Sequence, residues 1–331
     1  IAGLGHWGLT MIESVYGKSS EIQFVAASTR HPANIADYCA QHGIRMFTSY
    51  EQLLADPDID GVVIATPNSL HESQIIAAAN AGKHVYVEKP FTLTLAAANH
   101  AVTAVQRAGV TLAVGLNRRF HPNMLELTRR VRAGELGVVS SMIADLTAAT
   151  GFHRPASSWR TQAAEEPAGA MVSIGVHLVD AMINMAGPVG EVYCVAANRG
   201  GPHGHDTTHL MLQFTNGATG MIYCSVAATR HHRMAVYGTK AFAEVARPQM
   251  NTLRVIPIVE GRVSHMAKPP EPEVFEYPSY NYVGESLDEF ARCIRDKKPY
   301  PITPKDILHG VAVLEAAIRS NKERKPVQVP D

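Results

Sequence analysis

Residues 1–118 alternate short β-rich runs with amphipathic helical patterns, and this alternation restricts the possible folds more than any other feature of the chain. The pattern predicts strands at Gln23–Ala27, Gly61–Ala65, His84–Val87 and Val110–Leu116, with helices at Leu70–Ala79 and Leu95–Ala108. Such an order is typical of an α/β fold with a doubly wound parallel sheet, because each helix carries the chain back to the start of the next parallel strand.

A glycine-rich loop, Gly3-Leu4-Gly5-His6-Trp7-Gly8, stands at the head of this region. In a dinucleotide-binding loop the first glycine permits a tight turn, the second lets a pyrophosphate approach the backbone, and the third lets helix and strand pack closely. The phosphates then rest on the amino end of the following helix. We therefore predict a Rossmann domain over residues 1–118. Its cofactor contacts in this loop would be Gly3, Gly5, His6, Trp7 and Gly8.

The residues after the strand Gln23–Ala27 indicate which nicotinamide cofactor is used. Proteins that prefer NAD usually place a carboxylate here to bind the ribose 2′-hydroxyl. This chain has Ser28, Thr29 and Arg30 instead, and its next acidic residue is Asp37. Because a guanidinium binds phosphate in a fork, we predict NADP as the preferred cofactor, held by these three residues. NAD, with a solvated Arg30, is the alternative.

The tripeptide Glu88-Lys89-Pro90 follows the predicted strand His84–Val87. This places a lysine at the carboxyl end of a strand, the edge where ligands bind in open α/β sheets. A partly desolvated lysine there can exchange protons near neutral pH. Most Lys-Pro steps, however, are solvated turns, so the tripeptide gains meaning only from the motifs around it.

Composition and charge argue against several classes of partner. Lys plus Arg and Asp plus Glu both total 30, so a formal net charge of zero gives no footprint for nucleic acid or an anionic membrane. No apolar run approaches the roughly 18–20 residues that cross a bilayer. The four scattered cysteines form no Cys-x-x-Cys pair and predict ordinary thiols in the cytoplasm. We also expect that several residues precede Ile1 in the full protein.

Residues 119–331 show a different pattern. An amphipathic helix over Asn123–Ala133 links the two regions, and the runs that follow it predict mostly antiparallel strands. The strand runs are Met142–Leu146, Glu191–Ala197, His209–Phe214, Gly220–Val226 and Met234–Tyr237, with a hairpin turn at Asn216-Gly217. Two helices, Gly284–Asp296 and Lys305–Asn321, close the chain. The expected second domain is α+β, with a large open sheet for substrate binding and subunit contact.

A predicted helix over Ser173–Met185 carries the strongest candidate for acid–base chemistry in this domain. Ser173, His177 and Asp180 are spaced i, i+4 and i+7, so they share one face. A histidine can transfer a proton near neutral pH, and a carboxylate one turn away can fix its tautomer. On spacing alone, a buried core histidine capped by a carboxylate is the more common arrangement.

The remaining histidines give no metal prediction. They are densest at Pro202-His203-Gly204-His205-Asp206 and at His231-His232, and neither place has His-x-x-x-His or cysteine-containing zinc spacing.

Taken together in order, the motifs resemble the Gfo/Idh/MocA oxidoreductase family (glucose-fructose oxidoreductase, inositol dehydrogenase and relatives), over nearly the whole chain. The matching segments are the Gly3–Gly8 loop, Ala65-Thr66-Pro67-Asn68 with His71, Ala81-Gly82-Lys83-His84-Val85 leading into Glu88-Lys89-Pro90, Gly115-Leu116-Asn117-Arg118-Arg119-Phe120, Trp159-Arg160, and Gly169-Ala170 leading to Gly175-x-His177-x-x-Asp180.

The resemblance implies roles for the matching residues. Besides the glycine loop, those implied to line the dinucleotide are Thr66, Pro67, Asn68, His71, Glu88, Lys89, Asn117, Trp159 and Arg160. Lys89 would contact the substrate hydroxyl and Pro90 would orient it, while His177 would be the general base, although the two proton-handling roles could be exchanged. For His71 a purely structural role is an equal alternative.

One position departs from the family pattern. Relatives commonly carry aspartate four residues before the histidine, where it binds a substrate hydroxyl, and this chain has Ser173. Serine can hydrogen-bond but brings no charge, which implies a subgroup with a different substrate. His153 and Arg154, which precede the Trp159-Arg160 segment, could supply cations to an acidic or polyhydroxylated substrate. A solvated loop is the alternative for them.

The expected function is therefore an NAD(P)-dependent dehydrogenase that transfers a hydride to or from a secondary alcohol or ketone. The substrate would be a small polar molecule such as a sugar, cyclic polyol, dihydrodiol or hydroxy acid. The open sheet suggests a homodimer or homotetramer. Two alternatives remain: a hydrolase or lyase that retains its dinucleotide and oxidises its substrate transiently, and a non-catalytic dinucleotide sensor.

Overall fold

The computed structural model describes residues 1–202, 204–246, 249–259 and 270–330. Internal contacts divide the chain into two compact units. The first comprises Ile1–Asn117 and Asn281–Val311, and the second comprises Arg118–Tyr280 and the chain from Ala312 onward. This division differs from a single boundary at residue 118, because a segment near the carboxyl end packs with the N-terminal unit.

The N-terminal part of the first unit alternates strands and helices, as the sequence predicts. In chain order they are α1 (His6–Val15), β1 (Ala26–Ser28), α2 (Ala36–Gln41), β2 (Arg45–Phe47), α3 (Tyr50–Ala55), β3 (Gly61–Ile64), α4 (His71–Asn80), β4 (His84–Val87), α5 (Leu95–Ala108) and β5 (Leu112–Val114). The prediction of Gln23–Ala27 as a strand was wrong in its bounds, as was Val110–Leu116. A run of apolar residues indicates which residues are buried, but the ends of a strand are set by where its hydrogen bonds to the neighbouring strand begin and end.

All the strand pairs of this unit are parallel in the part that the structure describes. Ala2 lies between β1 and β3, bridging in parallel to Ser28 and to Ile64. The spatial order is thus β2-β1-Ala2-β3-β4-β5. The chain moves outward from Ala2 in one direction and then in the other, so the strand order reverses next to the glycine-rich loop. This confirms the doubly wound parallel sheet and places its ligand crevice at that loop.

The second unit is built around one large sheet. Its elements are α6 (Pro122–Arg132), β6 (Val139–Thr147), α7 (Val176–Ala186), β7 (Val189–Ala197), β8 (Thr207–Phe214), β9 (Thr219–Ser225), β10 (His231–Gly238), β11 (Ala241–Ala246), β12 (Thr252–Pro257), β13 (Glu273–Glu276) and, near the end of the chain, β14 (Val327–Gln328). The order across the sheet is β13-β12-β11-β10-β6-β9-β8-β7-β14.

Only β6 and β9 pair in parallel among the described strands of this sheet, which confirms the mostly antiparallel prediction. The predicted turn at Asn216-Gly217 joins β8 to β9, with Gly217 at φ +90° and the Asn216 side chain accepting a hydrogen bond from the Ala218 amide. Buried and exposed residues alternate along β8, so the sheet has one covered and one open face. Helix α7 packs on the covered face, against β6 and β9.

The last two helices are α8 (Tyr282–Asp296) and α9 (Pro304–Glu323). Helix α8 belongs to the first unit because it packs on α1 and β4. The Tyr86 hydroxyl lies 3.0 Å from Ser286 Oγ, and the Tyr86 ring meets Phe290 edge-on. The Asn281 side chain caps α8 and donates to the Ser14 carbonyl. None of the described helices has both the length and the apolar composition needed to cross a bilayer.

Candidate active site

The three glycines of the N-terminal loop occupy three different environments. Gly3 has a φ of +94°, and a Cβ there would lie 2.5 Å from the Ala65 carbonyl oxygen. A Cβ on Gly8 would lie 2.2 Å from the Gly3 carbonyl oxygen, so only glycine lets α1 pack this closely. A Cβ on Gly5 would meet no described protein atom within 4 Å. The loop is therefore tight at Gly3 and Gly8 and open at Gly5, as expected for a loop that admits a pyrophosphate.

The amino end of α1 is suited to an anion. Gly5 is its N-cap and provides no side chain to cap the helix, and the first turn has no acidic residue. Two buried side-chain nitrogens, Trp7 Nε1 and Asn117 Nδ2, make no hydrogen bond within the described residues. Since buried donors are costly to leave unsatisfied, this open cradle with orphaned donors fits a bound dinucleotide.

Four segments predicted to hold the cofactor or the substrate lie at one edge of the first unit. Because β1, β3, β4 and β5 run parallel, their carboxyl ends meet there. These ends carry Ser28-Thr29-Arg30, Thr66-Pro67-Asn68, Glu88-Lys89 and Gly115-Leu116-Asn117. Ser28 is buried, Thr29 half-buried and Arg30 exposed, so the guanidinium is accessible to a ligand.

His71 links two of these segments from a buried position. Its Nδ1 lies 2.9 Å from the Pro90 carbonyl oxygen, and its Nε2 lies 3.2 Å from the Thr66 carbonyl oxygen. The Thr66 hydroxyl in turn donates to the Gln74 side chain at 2.5 Å. His71 thus ties the loop after β3 to the loop after β4. This geometry supports the structural alternative for His71, and a direct contact with the cofactor remains a prediction.

Glu88 and Lys89 differ in exposure although they are adjacent. Glu88 is buried, and a Cβ on Gly115 would lie 2.4 Å from Glu88 Oε1, so the carboxylate fills the space that this glycine leaves. Lys89 is half-buried, and its peptide bond to Pro90 is cis. The lysine therefore stands at the ligand edge of the sheet in a partly desolvated position, as the sequence predicts.

Ser173 and His177 lie in the second unit, on a helix that changes type between them. Met171–Gly175 forms a π-helical turn that continues directly into α7. The prediction of one α-helix over Ser173–Met185 was therefore wrong for its first residues. A Cβ on Gly175 would lie 2.8 Å from Met171 Sδ and 3.0 Å from Cys224 Sγ, so the turn is packed tightly against β9. Single π-turns inside helices are frequent at functional sites.

Asp180 has a partner that the sequence prediction missed. Arg119 Nε donates to Asp180 Oδ2 at 2.8 Å and Arg119 Nη2 donates to Asp180 Oδ1 at 2.7 Å, with both side chains buried. Arg119 Nη1 also donates to Asn184 Oδ1. Both carboxylate oxygens of Asp180 therefore bind a guanidinium one turn from His177, and the tautomer-fixing role of Asp180 stays a prediction. Arg119 lies in the Gly115–Phe120 motif, but nothing in the sequence spacing of Arg119 and Asp180 predicted that they would pair.

The Trp159-Arg160 segment forms a short 3₁₀ turn, and the Arg160 guanidinium carbon lies 4.1 Å from the centre of the Trp159 indole. Arg154 is mostly buried and donates to Glu166 Oε2, so the solvated-loop alternative was wrong for this residue. Its charge is paired within the protein, which weakens its predicted role as a substrate cation. His153 is exposed.

No group of three or more metal-ligating side chains was found among the described residues. His203, from one of the histidine-dense segments, lies outside that part of the chain.

Two family models match the chain. The oxidoreductase family with an NAD-binding Rossmann fold (GFO_IDH_MocA) matches residues 1–116, and the GFO/IDH/MocA C-terminal domain matches residues 124–244.

Similar proteins match over most of the chain. An uncharacterized oxidoreductase, YrbE, of Bacillus subtilis is 29% identical over 99% of this chain and 95% of its own. The scyllo-inositol 2-dehydrogenase (NAD(+)) of the same organism is 29% identical over 84% of this chain and 80% of its own. The crystal structure of aldose-aldose oxidoreductase from Caulobacter crescentus superimposes with a TM-score of 0.84, at 26% identity over 99% of this chain and 98% of that one. The chain therefore belongs to the Gfo/Idh/MocA oxidoreductase family.

Proposed function

We propose that this protein is an NAD(P)-dependent dehydrogenase that interconverts a secondary alcohol and a ketone on a sugar, cyclic polyol, dihydrodiol or related hydroxy compound. The observation that carries the proposal is the glycine cradle, open at Gly5, on the sheet edge that also presents Lys89. Relatives whose names give their reaction, such as the scyllo-inositol dehydrogenase, support the alcohol class.

In the proposed mechanism the protein positions the reactants and handles one proton. His177 removes the hydroxyl proton of the alcohol, and Lys89 polarises the same oxygen by donating a hydrogen bond. Arg119 and Asp180 hold the helix turn next to His177. The nicotinamide, when bound, accepts or supplies the hydride. In the reverse direction His177 returns the proton to the ketone oxygen.

Ser173 is where substrate selectivity resides in this proposal. A hydroxyl at this position can donate and accept a hydrogen bond with a substrate hydroxyl, but it adds no negative charge. Because Arg154 is paired to Glu166, its guanidinium is not assigned to a substrate carboxylate. A neutral polyhydroxylated substrate fits these groups better than a hydroxy acid.

The cofactor in this proposal is NADP. Support comes from Ser28, Thr29 and the exposed Arg30 at the end of β1. These residues stand where a protein that prefers NAD usually has a carboxylate. Arg30→Ala is expected to raise the KM for NADP far more than the KM for NAD, measured with one substrate under identical conditions. Equal increases for both cofactors would contradict the assignment.

A direct experiment separates the three candidate functions. The purified protein is incubated with NADP or NAD and a panel of sugars, polyols and dihydrodiols, and the absorbance at the reduced-nicotinamide band is followed together with product formation. Net formation of NADPH is the expected result. Product without net reduction of the cofactor would instead indicate a hydrolase or lyase. Cofactor binding without turnover in either direction would indicate a sensor.

The open face of the large sheet is proposed to bind a second copy of the chain. Ile143 of β6, Met221 of β9 and Met211 of β8 are direct neighbours across the sheet, and they form an apolar row. Met211 and Met221 are 57% and 49% exposed. A flat apolar row on a regular sheet can pair with itself about a twofold axis, which gives a homodimer or, with a further contact, a homotetramer.

Met221→Glu tests this interface. The variant is expected to run as a smaller species than the parent in size-exclusion chromatography with light scattering, because a carboxylate cannot be buried there without a partner. Leu125→Glu, at an exposed apolar residue of α6, is the control and should leave the mass unchanged. A monomeric parent, or a Met221→Glu variant of parental mass, would contradict the proposal.

The compartment proposed is the cytoplasm. All four cysteines are buried free thiols, which fits a reducing environment.

A further inference from the structure

The Trp159-Arg160 turn is held by more than its own backbone. Ser158 caps it by accepting a hydrogen bond from the Arg160 amide, and the Arg160 guanidinium carbon lies over the Trp159 ring, 4.1 Å from its centre. Among the aromatic side chains, an indole gives the most favourable cation–π interaction with a guanidinium. The position of the indole therefore depends on where the Arg160 guanidinium is anchored.

The anchor is Glu166, a buried carboxylate between two arginines. Arg160 Nε lies 3.8 Å from Glu166 Oε1, and Arg154 Nη1 donates to Glu166 Oε2 at 3.2 Å. The same Arg154 nitrogen donates to the Arg160 carbonyl oxygen at 3.1 Å. One carboxylate thus holds the side chain of Arg160 directly and its main chain through Arg154. Arg154 and Glu166 are 12% and 5% exposed, so water screens their interaction little, whereas Arg160 is 38% exposed and its interaction is screened more.

Glu166 also stands at the start of the segment that carries the acid–base residues. Its carbonyl oxygen accepts a hydrogen bond from the Gly169 amide, and the π-helical turn of Ser173 begins two residues after Gly169. Gly169 itself has a φ of +57° and leaves no room for a Cβ beside His205. Glu166 therefore connects the Trp159 turn to the helix of His177 through a short, tightly packed stretch of main chain.

We propose that Glu166 is a positioning residue, which fixes Trp159 and Arg160 through a shared ion pair with Arg154 and Arg160. The role rests on the proposed function and on the place beside the dinucleotide that the family resemblance implies for Trp159. Glu166 touches neither reactant in this proposal. Its contribution is to keep the indole in one orientation, so that the reacting groups meet in a productive geometry.

The first test is spectroscopic and needs no turnover. The chain has two tryptophans, Trp7 and Trp159, so a Trp7→Phe background leaves Trp159 as the single reporter. In that background Glu166→Gln is expected to red-shift the emission and increase quenching by acrylamide, because the stacked guanidinium no longer shields the indole. We call the shared ion pair of Glu166 with Arg154 and Arg160 the Glu166 clamp. Arg154→Met breaks this clamp in a second way and is expected to move both signals in the same direction. Unchanged emission and quenching in both variants would overturn the proposal, whatever reaction the protein catalyses.

The second test is kinetic and uses the chain with Trp7 intact. Glu166→Gln is expected to lower kcat by about 10–100-fold while the dissociation constant for NADPH stays near that of the parent. Combining Glu166→Gln with Arg154→Met should add little to either single loss, because both break the same clamp. Thr161→Val is the matched control: it removes a hydroxyl that bonds within the same turn to the Ala156 and Ser158 carbonyls.

A loss in Thr161→Val as large as that in Glu166→Gln would show that any loosening of the turn has the same effect, and would overturn the specific role of Glu166. Additive losses in the double variant would do the same.

Discussion

At the scale of single residues, the decisive interaction beside the candidate general base is a buried ion pair. Asp180 binds Arg119 through two hydrogen bonds, and both side chains are 8% exposed. Such a pair adds little stability relative to apolar residues, but removing one partner leaves a charge uncompensated in a dry environment. The pair is therefore better explained as a device that holds α7 in place than as a source of stability.

Asp180→Asn is expected to lower the free energy of unfolding by about 3–5 kcal/mol, because Arg119 stays buried without its counter-ion. Urea unfolding followed by circular dichroism measures this loss. The control is Asp296→Asn, which breaks an exposed pair with Arg295 and should leave the unfolding midpoint close to that of the parent. A comparable midpoint for the Asp180 and Asp296 variants would contradict the argument.

A second residue-scale effect concerns pH. His121 caps α6 by accepting a hydrogen bond from the Asn123 amide through Nδ1, which requires that nitrogen to be unprotonated. Burial, aided by Arg118, lowers the pKa of His121 to about 4 from 6.5. Burial also lowers the pKa of His232 well below 6.5, helped by Arg118, His121 and His231.

Between pH 6.5 and about 4 the unfolded chain therefore binds protons that the folded chain does not. Stability should be fully present above pH 6.5 and fall as the pH decreases through this window. His121→Asn keeps a capping oxygen but removes the ionisable ring. Urea unfolding at several pH values should show a flatter dependence for this variant, with the remainder due to His232. An identical dependence for parent and variant would show that His121 plays no part.

At the scale of elements, residue types define the glycine loop and the alternation of strands and helices, because both follow from local backbone freedom and apolar periodicity. The space around Gly3 and Gly8 is tight and that around Gly5 is open, as the motif predicts, and the contact with a pyrophosphate stays a prediction. The π-helical turn before α7 could not be read in the same way, since it depends on how Gly175 packs against Cys224 from another element. For the same reason the Arg119–Asp180 pair and the Glu166 clamp were not predicted.

The loop gives a prediction that separates folding from binding. Gly8→Ala should lower the Tm, because its Cβ would lie 2.2 Å from the Gly3 carbonyl oxygen. Gly5→Ala should fold with a parental Tm, because the φ of −77° at Gly5 suits alanine. A Cβ at this position would have no described protein atom within 4 Å. Its methyl group should nevertheless weaken NADPH binding by about tenfold or more, which corresponds to ~1.4 kcal/mol.

Differential scanning fluorimetry and NADPH titration measure the two effects. Parental NADPH affinity in Gly5→Ala would contradict the placement of the pyrophosphate at this loop.

At the scale of the whole molecule, the proposed reaction draws on both units. The cofactor cradle and Lys89 belong to the first unit, and Trp159, Ser173 and His177 belong to the second. The sequence pattern indicated two regions but not that α8 would return to the first one. Its amphipathic pattern could cover either sheet, and only the contacts of α8 and its N-cap Asn281 with Tyr86 and Ser14 decide the matter.

The most direct test of the account is turnover in Lys89→Ala and His177→Ala. The rate of NADPH formation with the best substrate of the panel should fall by about 10²–10⁴-fold in each variant, because each removes a group that handles the hydroxyl proton. NADPH affinity should change little, since the glycine cradle is intact. Turnover near that of the parent in either variant would contradict the account and remove that residue from the mechanism.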